Sequence, residues 1–293
     1  MPSFKIAPIV QAPLLLLIAM ISLQSSGSFA KYLFDDFPIL TVSAMRLFLG
    51  AFILAIIFKA WQIHFKHLKW SAILSYGFAL AGMNLLFYQA IARIPLGIAV
   101  AFEFIGPLGI ALFYARKRFD FIWVGLAIVG LILLFPFDQA SKALDPVGIV
   151  CALGAGACWA LYIVAGQKPS GVSGNHTVCL GMFVGMCILM PIALFMGMPS
   201  HTFEPMSLMY FAALAILASA LPFTLEMIAL RNLSALSFGT LMSLEPAIAA
   251  MSGFIFLGEQ LLWTQWLALA TIISASIGCT VTAQSSKQKK LIH

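Results

Sequence analysis

The amino-acid sequence predicts an all-α integral membrane protein with ten transmembrane helices. Of the 293 residues, 62% are hydrophobic and only 9% are charged, whereas about a quarter of the residues in a soluble domain are charged. The mean hydropathy is +1.04, and apolar runs of about 20 residues, the length that crosses a bilayer, follow one another along the chain. These observations exclude a soluble globular domain, a disordered chain and a disulfide scaffold.

Charged, proline and glycine residues separate the ten predicted spans. The spans are 12–33, 38–58, 70–91, 96–115, 120–136, 146–166, 175–198, 206–230, 236–257 and 262–283. A signal peptide is the alternative for the first apolar run, because the small residues Ser28 and Ala30 resemble a cleavage site. Two observations favour a membrane span. Only one basic residue, Lys5, precedes the run, and the internal repeat described below pairs the run with a span in the second half.

The charges between the spans predict that both termini are cytoplasmic. With that orientation, twelve of the sixteen basic residues lie in inner segments, as the positive-inside rule expects. Only Lys31, Arg93 and Lys142 lie outside. The basic tail suits the anionic surface of membrane lipid. The net charge of +6 therefore indicates contact with membrane lipid and not with nucleic acid.

The two halves of the chain share a weak internal repeat. Spans three and eight end with residues at the same spacing. These are Asn84, Tyr88 and Arg93 in span three, and Pro222, Glu226 and Arg231 in span eight. The next span of each half carries a glutamate and a proline. Because five spans per repeat is an odd number, the second copy inserts upside down, which is typical of secondary transporters. The predicted units are a first repeat at 1–143, a second at 144–284 and a cytoplasmic tail at 285–293.

Four segments carry a resemblance to the EamA-like branch of the drug/metabolite transporter superfamily. They are PLGIAVAFEFIGP at 95–107, ALGAGACWALY at 152–162, ALPFTLEMIAL at 220–230 and FGTLMSLEP at 238–246. The resemblance implies ten helices in two inverted five-helix repeats, placed in a bacterial inner membrane. It also implies efflux of small amino acids and analogues, such as threonine and homoserine, driven by the proton gradient.

Other functions remain as alternatives. Another solute of the same fold, such as a drug, a purine or an aromatic amino acid, is the first, and a passive channel is the second. A membrane-embedded lipid enzyme would need a nucleophile or metal and long loops, which this sequence lacks, so no catalytic residue is expected. No cofactor or metal is expected either, because the cysteines form no C-x-x-C pair and His64-x-x-His67 has no third ligand.

Four ionisable residues lie in the interior of the predicted spans, away from the span ends: Arg46, Glu103, Glu226 and Glu245. Each costs several kcal/mol near the bilayer centre unless it is paired or hydrated, so each is a functional candidate. At about 1.5 Å per residue, Arg46 and Glu103 lie at a similar depth of about 10–12 Å from the outer end. We therefore predict an ion pair between them, either fixed or opening during transport.

The other two glutamates differ in depth. Glu245 lies about 15 Å from the inner end of its span and precedes Pro246, which breaks the helix and frees a carbonyl. Proton or ammonium binding is expected there, with a helix-interface hydrogen bond as the alternative. Glu226 lies about 6 Å from the inner boundary. The alternative to a functional role for Glu226 is simple contact with headgroup water or with Arg231. Glu103 or Glu245 is the expected proton carrier.

Polar-tipped side chains are expected around the same central cavity. They are Asn84, Tyr88, Trp159 and Tyr162, with ordinary helix packing as the alternative. The small residues before Trp159 predict a close helix crossing beside it. A polar patch in the first span consists of Gln24, Ser25, Ser26 and Ser28. It either lines the cavity or bonds to its own backbone carbonyls.

Overall fold

The computed structural model describes residues 8–292 except 65, 67, 95, 116–117, 135–144 and 257–261. The predicted boundary between residues 143 and 144, together with Lys5, Lys142 and His67, lies outside the described residues, as does the side chain of Ser28. Within the described part, every regular element is a helix. The predicted all-α class is therefore confirmed.

Thirteen α-helices occur in the described ranges. They are α1 (Pro8–Asp36), α2 (Ile39–Ile57), α3 (Trp70–Ile91), α4 (Leu96–Glu103), α5 (Ile105–Tyr114), α6 (Arg118–Leu134), α7 (Pro146–Gln167), α8 (Gly174–Met196), α9 (Pro205–Ala215), α10 (Leu221–Asn232), α11 (Ala235–Met242), α12 (Leu244–Phe256) and α13 (Trp263–Ile292). A π-helical segment, Ile216–Ala220, joins α9 to α10. Six helical segments of the described chain are long and apolar enough to cross a membrane, so the chain is a membrane protein.

Three helical rods are interrupted, and a proline follows each interruption. Phe104 separates α4 from α5 and precedes Pro107, while Ser243 separates α11 from α12 and precedes Pro246. The π-helical segment precedes Pro222. A proline has no N–H to donate to the carbonyl one turn earlier and its ring crowds that carbonyl. The backbone is therefore irregular at three points within the membrane-spanning part, where irregularity is tolerated only if protein buries it or a cavity hydrates it.

The helices pack in a regular pattern. α3 packs on α7, and α1 packs on α10; α4 also contacts α7, and α12 contacts α1. α3 contacts α8, and α2 contacts α9. Further contacting pairs are α2 with α8, α5 with α11 and α6 with α13. The core lies between these pairs, whereas large apolar side chains such as Phe195, 91% exposed, point outward. An apolar exterior is what lipid contact requires.

α5 and α7 approach each other closely. A Cβ added to Gly106 would overlap the backbone of Gly156, and one added to Gly156 would overlap the backbone of Glu103. Small residues allow helix backbones to touch in this way. This is the close crossing that the residues before Trp159 predict, and Trp159 lies one turn along α7 from it.

Candidate functional site

The four ionisable residues of the predicted spans line one cavity among the described helices. Its empty volume, counting the space that is open to solvent, is about 560 Å³. The lining residues are Leu23, Gln24, Ser26, Gly27, Arg46, Met83, Asn84, Phe87, Tyr88, Glu103, Trp159, Phe223, Glu226 and Glu245. Seven of the eight predicted site residues therefore line this space. The eighth, Tyr162, contacts Glu226 from behind the cavity wall.

Arg46 is bound on three sides, and none of its partners is a carboxylate. Its Nε donates to the Ser219 hydroxyl at 2.6 Å, its Nη1 to the Tyr88 hydroxyl at 2.7 Å and its Nη2 to the Ala218 carbonyl at 2.5 Å. Within the described chain, no ion pair within 4.0 Å joins Arg46 to Glu103. The predicted contact between the two is wrong in this conformation, although both line the cavity.

One acceptor of Arg46, the Ala218 carbonyl, is available because of the π-helical segment and Pro222. The Leu221 N–H donates to the Ile216 carbonyl and Pro222 has no N–H, so the carbonyls of Leu217 and Ala218 both lack their regular helical donor. The Ser22 hydroxyl donates to the Leu217 carbonyl at 2.7 Å, and Arg46 donates to the Ala218 carbonyl. Sequence reasoning missed Ser219 as a site residue. The signal that points to it is the proline three residues later, in a span facing an intramembrane arginine.

Two aromatic rings flank the Arg46 guanidinium. The ring centroids of Tyr88 and Phe223 lie 5.3 and 5.8 Å from Cζ, and the negative faces of aromatic rings attract a cation. A guanidinium carries five N–H groups, of which three have described partners. The buried charge is thus stabilised without an acid, and N–H groups are left for a ligand in the cavity.

Glu103, unlike Arg46, has a charged group that makes no described hydrogen bond. Its side chain is 7% exposed at the end of α4, and it lines the cavity. No described group donates a hydrogen bond to its carboxyl group. Because Pro107 lacks an N–H, the Glu103 backbone carbonyl is also released from the helix, and this carbonyl lies against Gly156. A carboxyl group without a protein donor is a natural acceptor for a cationic ligand or a proton.

Glu226 and Glu245 each have one bound and one free oxygen. Tyr162 donates its hydroxyl to Glu226 Oε2 at 2.9 Å, and Gln24 donates Nε2 to Glu245 Oε1 at 2.9 Å. The remaining oxygens, Oε1 of Glu226 and Oε2 of Glu245, are buried without a partner in the described chain. Arg231 is bound elsewhere, to the Ser170 and Thr177 hydroxyls. The suggested alternative of a Glu226 contact with Arg231 therefore does not occur.

The other predicted residues divide between the cavity and their own helices. Asn84 Nδ2 donates to the Leu80 carbonyl at 2.7 Å, so its amide oxygen and its second N–H remain for the cavity. The indole N–H of Trp159 has no acceptor among the described residues, and the ring stands edge-on to Phe104 at 6.3 Å. Ser26 bonds to the Leu23 carbonyl at 2.6 Å, as the alternative for the polar patch predicts, whereas Gln24 reaches Glu245 across the cavity.

Comparison with known proteins adds independent information. A family model described as the EamA-like transporter family matches residues 146–281. The threonine/homoserine exporter RhtA of Salmonella typhimurium (strain LT2) is 48% identical over 282 residues, which cover 95% of this chain and 94% of that protein. The protein of the same name from Escherichia coli K12 is 47% identical over 293 residues, covering 99% and 98%.

More distant similarities were also found. An uncharacterized transporter of Bacillus subtilis (strain 168), YwfM, is 25% identical over 265 residues, covering 87% of this chain and 88% of that protein. A solved crystal structure superposes with a TM-score of 0.73 at 18% identity, covering 93% of this chain and 98% of the other. At this identity the superposition shows a shared fold alone.

Proposed function

Because the chain belongs to the EamA-like transporter family, we propose that it exports threonine, homoserine and similar small amino acids across the bacterial inner membrane. Proton antiport and alternating access are the proposed mechanism. The observation that carries the proposal is the single cavity in which one arginine and three glutamates meet. The 47–48% identity to two threonine/homoserine exporters supports the choice of substrate.

We propose that the helices form two inverted five-helix repeats, 1–143 and 144–284, with both termini and the tail 285–293 cytoplasmic. The packing pattern supports this arrangement. Exchanging the halves turns the α3–α7 pair into α10–α1, the α5–α7 pair into α12–α1, and the α3–α8 pair into α9–α2. Interrupted helices occur at corresponding places, α4–α5 and α11–α12. Rocking of such repeats around a midplane cavity is how inverted-repeat transporters alternate access.

The arginines that follow the third and the eighth spans also support the inversion. Arg93 lies 3.7 Å from Asp145 at the proposed outer end, where both side chains are part-exposed. Arg231, its counterpart, bonds to Ser170 and Thr177 at the proposed inner end. Corresponding residues at opposite ends are what a two-fold axis in the membrane plane produces.

A zwitterionic amino acid fits the cavity chemically. Its carboxylate matches the unbonded N–H groups of Arg46, since charge-assisted bonds to guanidinium are strong and directional. Its ammonium group matches Glu103, which has no protein donor. For the side-chain hydroxyl of threonine or homoserine, the Asn84 amide oxygen and the Trp159 indole N–H are an available acceptor and donor. Tyr88 holds Arg46 in place.

Glu103 also explains how a proton and a substrate exclude each other. A protonated Glu103 is neutral and holds ammonium poorly, whereas substrate ammonium displaces the proton. Glu226 and Glu245, each with one buried free oxygen, are the further carboxyl groups that accept a proton from the cavity. Exchange of one proton for a zwitterion moves one charge, which gives about 2.3 kcal/mol per 100 mV of membrane potential. Uphill export is therefore possible.

The test is uptake of labelled threonine by inverted membrane vesicles whose lumen is acidified. The expected result is saturable accumulation that a protonophore abolishes. Vesicles without the protein are the control. Unlabelled homoserine is expected to compete, and an aromatic amino acid and a purine complete the panel.

Each alternative predicts a different result. A passive channel gives flux that does not saturate and does not respond to the protonophore. An exporter of another solute gives no threonine uptake from folded protein, but protonophore-sensitive uptake of a different member of the panel. Either result would overturn the proposal as stated.

A further inference from the structure

We propose that Tyr162 and Tyr76 form the path by which the proton leaves Glu226 for the cytoplasmic side, an inference that rests on the proton antiport proposed above. Tyr76 is not part of the cavity lining, and nothing in the substrate chemistry requires it. The inference depends on three observations: a carboxyl group bonded to a phenol, a second phenol stacked on the first, and a polar cluster beyond the second.

The path begins at the cavity wall. Glu226 lines the cavity, and the hydroxyl of Tyr162 donates to its Oε2 at 2.9 Å. Both side chains are almost completely buried, with 2% of Glu226 and none of Tyr162 exposed. Counted at 1.5 Å per residue, Glu226 and Tyr162 lie about 9 and 8 Å from the proposed inner ends of α10 and α7. Glu226 is therefore the carboxyl group on the inner side of the cavity.

Tyr76 continues the path. Its ring stacks on that of Tyr162, with centroids 4.9 Å apart and an interplanar angle of 32°. The Tyr76 hydroxyl has no hydrogen-bond partner in the described chain, although the residue is fully buried. Its oxygen is therefore free to accept from Tyr162 when the Tyr162 hydroxyl turns away from Glu226. Leaving a buried hydroxyl unbonded costs roughly 1–3 kcal/mol. Packing alone is served as well by phenylalanine, so the hydroxyl calls for a function.

A polar cluster lies beyond Tyr76 at the proposed inner end. Arg231 donates to the Ser170 and Thr177 hydroxyls at 3.2 and 3.0 Å, and these hydroxyls lie 2.6 Å apart. The Lys69 backbone N–H, at the start of the helix that carries Tyr76, donates to the Ser170 carbonyl at 2.9 Å. The Tyr76 ring and the side chain of Leu230, the residue before Arg231, both lie against Gly166. Tyr76 thus lies between Tyr162 and this inner cluster.

The proton moves by successive transfers that leave both phenols neutral. Glu226 gives its proton to the Tyr162 oxygen while Tyr162 gives its own to the Tyr76 oxygen, and Tyr76 releases its proton to water entering at the inner cluster. Glu226 ends as a carboxylate that accepts from the Tyr162 hydroxyl, which is the hydrogen bond that the structure shows. Once Glu226 is protonated again, rotation of the two hydroxyls prepares the next transfer. Glu103 supplies the proton through the cavity when substrate ammonium binds, and Arg46, Tyr88 and Glu245 are the other ionisable groups that line that space.

The experiment compares two transport modes of the full chain in proteoliposomes. Threonine uptake driven by an imposed pH gradient needs proton release, whereas counterflow of labelled against unlabelled threonine at equal pH needs only the substrate-bound protein. In Tyr76→Phe, driven uptake is expected to fall about tenfold or more, since positioned proton-transfer groups commonly contribute 10²–10⁴-fold. Counterflow is expected to stay within about twofold. Tyr162→Phe is expected to show the same pattern.

Tyr210→Phe is the matched control. Tyr210 is 40% exposed on α9 and its ring contacts Phe29, so both modes are expected to be unchanged. Equal loss of driven uptake and counterflow in Tyr76→Phe, or no loss of either, would overturn the relay. Failure of the antiport proposal itself is seen separately, as wild-type uptake that does not respond to a protonophore.

Discussion

Two sets of residues around the cavity differ in how far the protein satisfies their hydrogen-bonding groups. In one set, which we call the bonded wall, Arg46 is held by Tyr88, Ala218 and Ser219. In the other, the open wall, the Glu103 carboxyl group, the Asn84 amide oxygen and the Trp159 indole N–H lack described partners. Both walls are buried in the same membrane protein. The comparison indicates that the bonded wall is preorganised, and that the open wall depends on a ligand, a proton or water for its partners.

Among these variants, substitution of Arg46 in the bonded wall is expected to reduce threonine uptake most. In Arg46→Gln, three acceptors lose a charged donor, and the substrate carboxylate loses its cation. Truncating one partner of a buried, charged hydrogen bond costs about 2–5 kcal/mol, so driven threonine uptake is expected to fall at least about 30-fold. The melting temperature in detergent is expected to fall as well.

Arg46→Lys sharpens this prediction. Lysine keeps the charge but lacks the planar fork that bonds to several acceptors at once. We expect the melting temperature and the uptake to lie between those of the wild type and Arg46→Gln. Uptake equal to the wild type in both variants would contradict the role of Arg46.

Substitution on the open wall should affect transport without affecting the fold. In Glu103→Gln no described hydrogen bond is lost, so the melting temperature is expected to stay constant or rise. Threonine uptake is expected to fall roughly 10- to 100-fold, because a hydrogen bond to a charged group contributes about 1.5–3 kcal/mol. Measured in parallel, the two properties separate a ligand-binding glutamate from a structural one.

The double variant Arg46→Gln with Glu103→Gln distinguishes the two walls further. If the residues formed a structural ion pair, removing both charges would restore uptake. Since no ion pair within 4.0 Å joins them, we expect the double variant to be as inactive as Arg46→Gln. Recovery of uptake in the double variant would show that Arg46 and Glu103 form a structural ion pair.

A smaller effect is expected from repairing the irregular backbone behind the bonded wall. Pro222→Ala supplies an N–H that competes with Ser22 and Arg46 for the carbonyls of Leu217 and Ala218. Loss of one such bond is worth about 0.5–1.5 kcal/mol, so uptake is expected to fall roughly two- to tenfold. Pro191→Ala, in the interior of α8 and away from the cavity lining, is the matched control. Equal effects of the two variants would show a general response to proline removal.

The sequence predicts the helices and the buried charges well because both depend on local composition. Apolar runs locate the spans, and an ionisable residue inside a span is conspicuous. Depth along a helix was enough to place Arg46 and Glu103 beside one cavity. It did not give the rotation of each helix about its own axis, and the predicted ion pair is absent from this conformation. The alternative of a pair that opens during transport stays a prediction.

The missing parts of the site are those set by long-range packing. Ser219 is 173 residues from Arg46, and a serine in an apolar helix resembles any small packing residue. Tyr162 as the partner of Glu226, and Tyr76 behind it, depend on how α3, α7 and α10 meet. Pro222 did carry local information, since it frees the carbonyls to which Ser22 and Arg46 donate.

The separation of Arg46 from its partners also sets an order of events during synthesis. Tyr88 follows Arg46 by 42 residues, but Ala218 and Ser219 follow by 172 and 173. At about 5–20 residues per second, the ribosome delivers Tyr88 within roughly 2–8 s and the remaining acceptors only after roughly 9–35 s. The nascent first half therefore holds a charged side chain beside a single phenol for most of its time in the insertion machinery. Release into lipid is expected to wait for the second half.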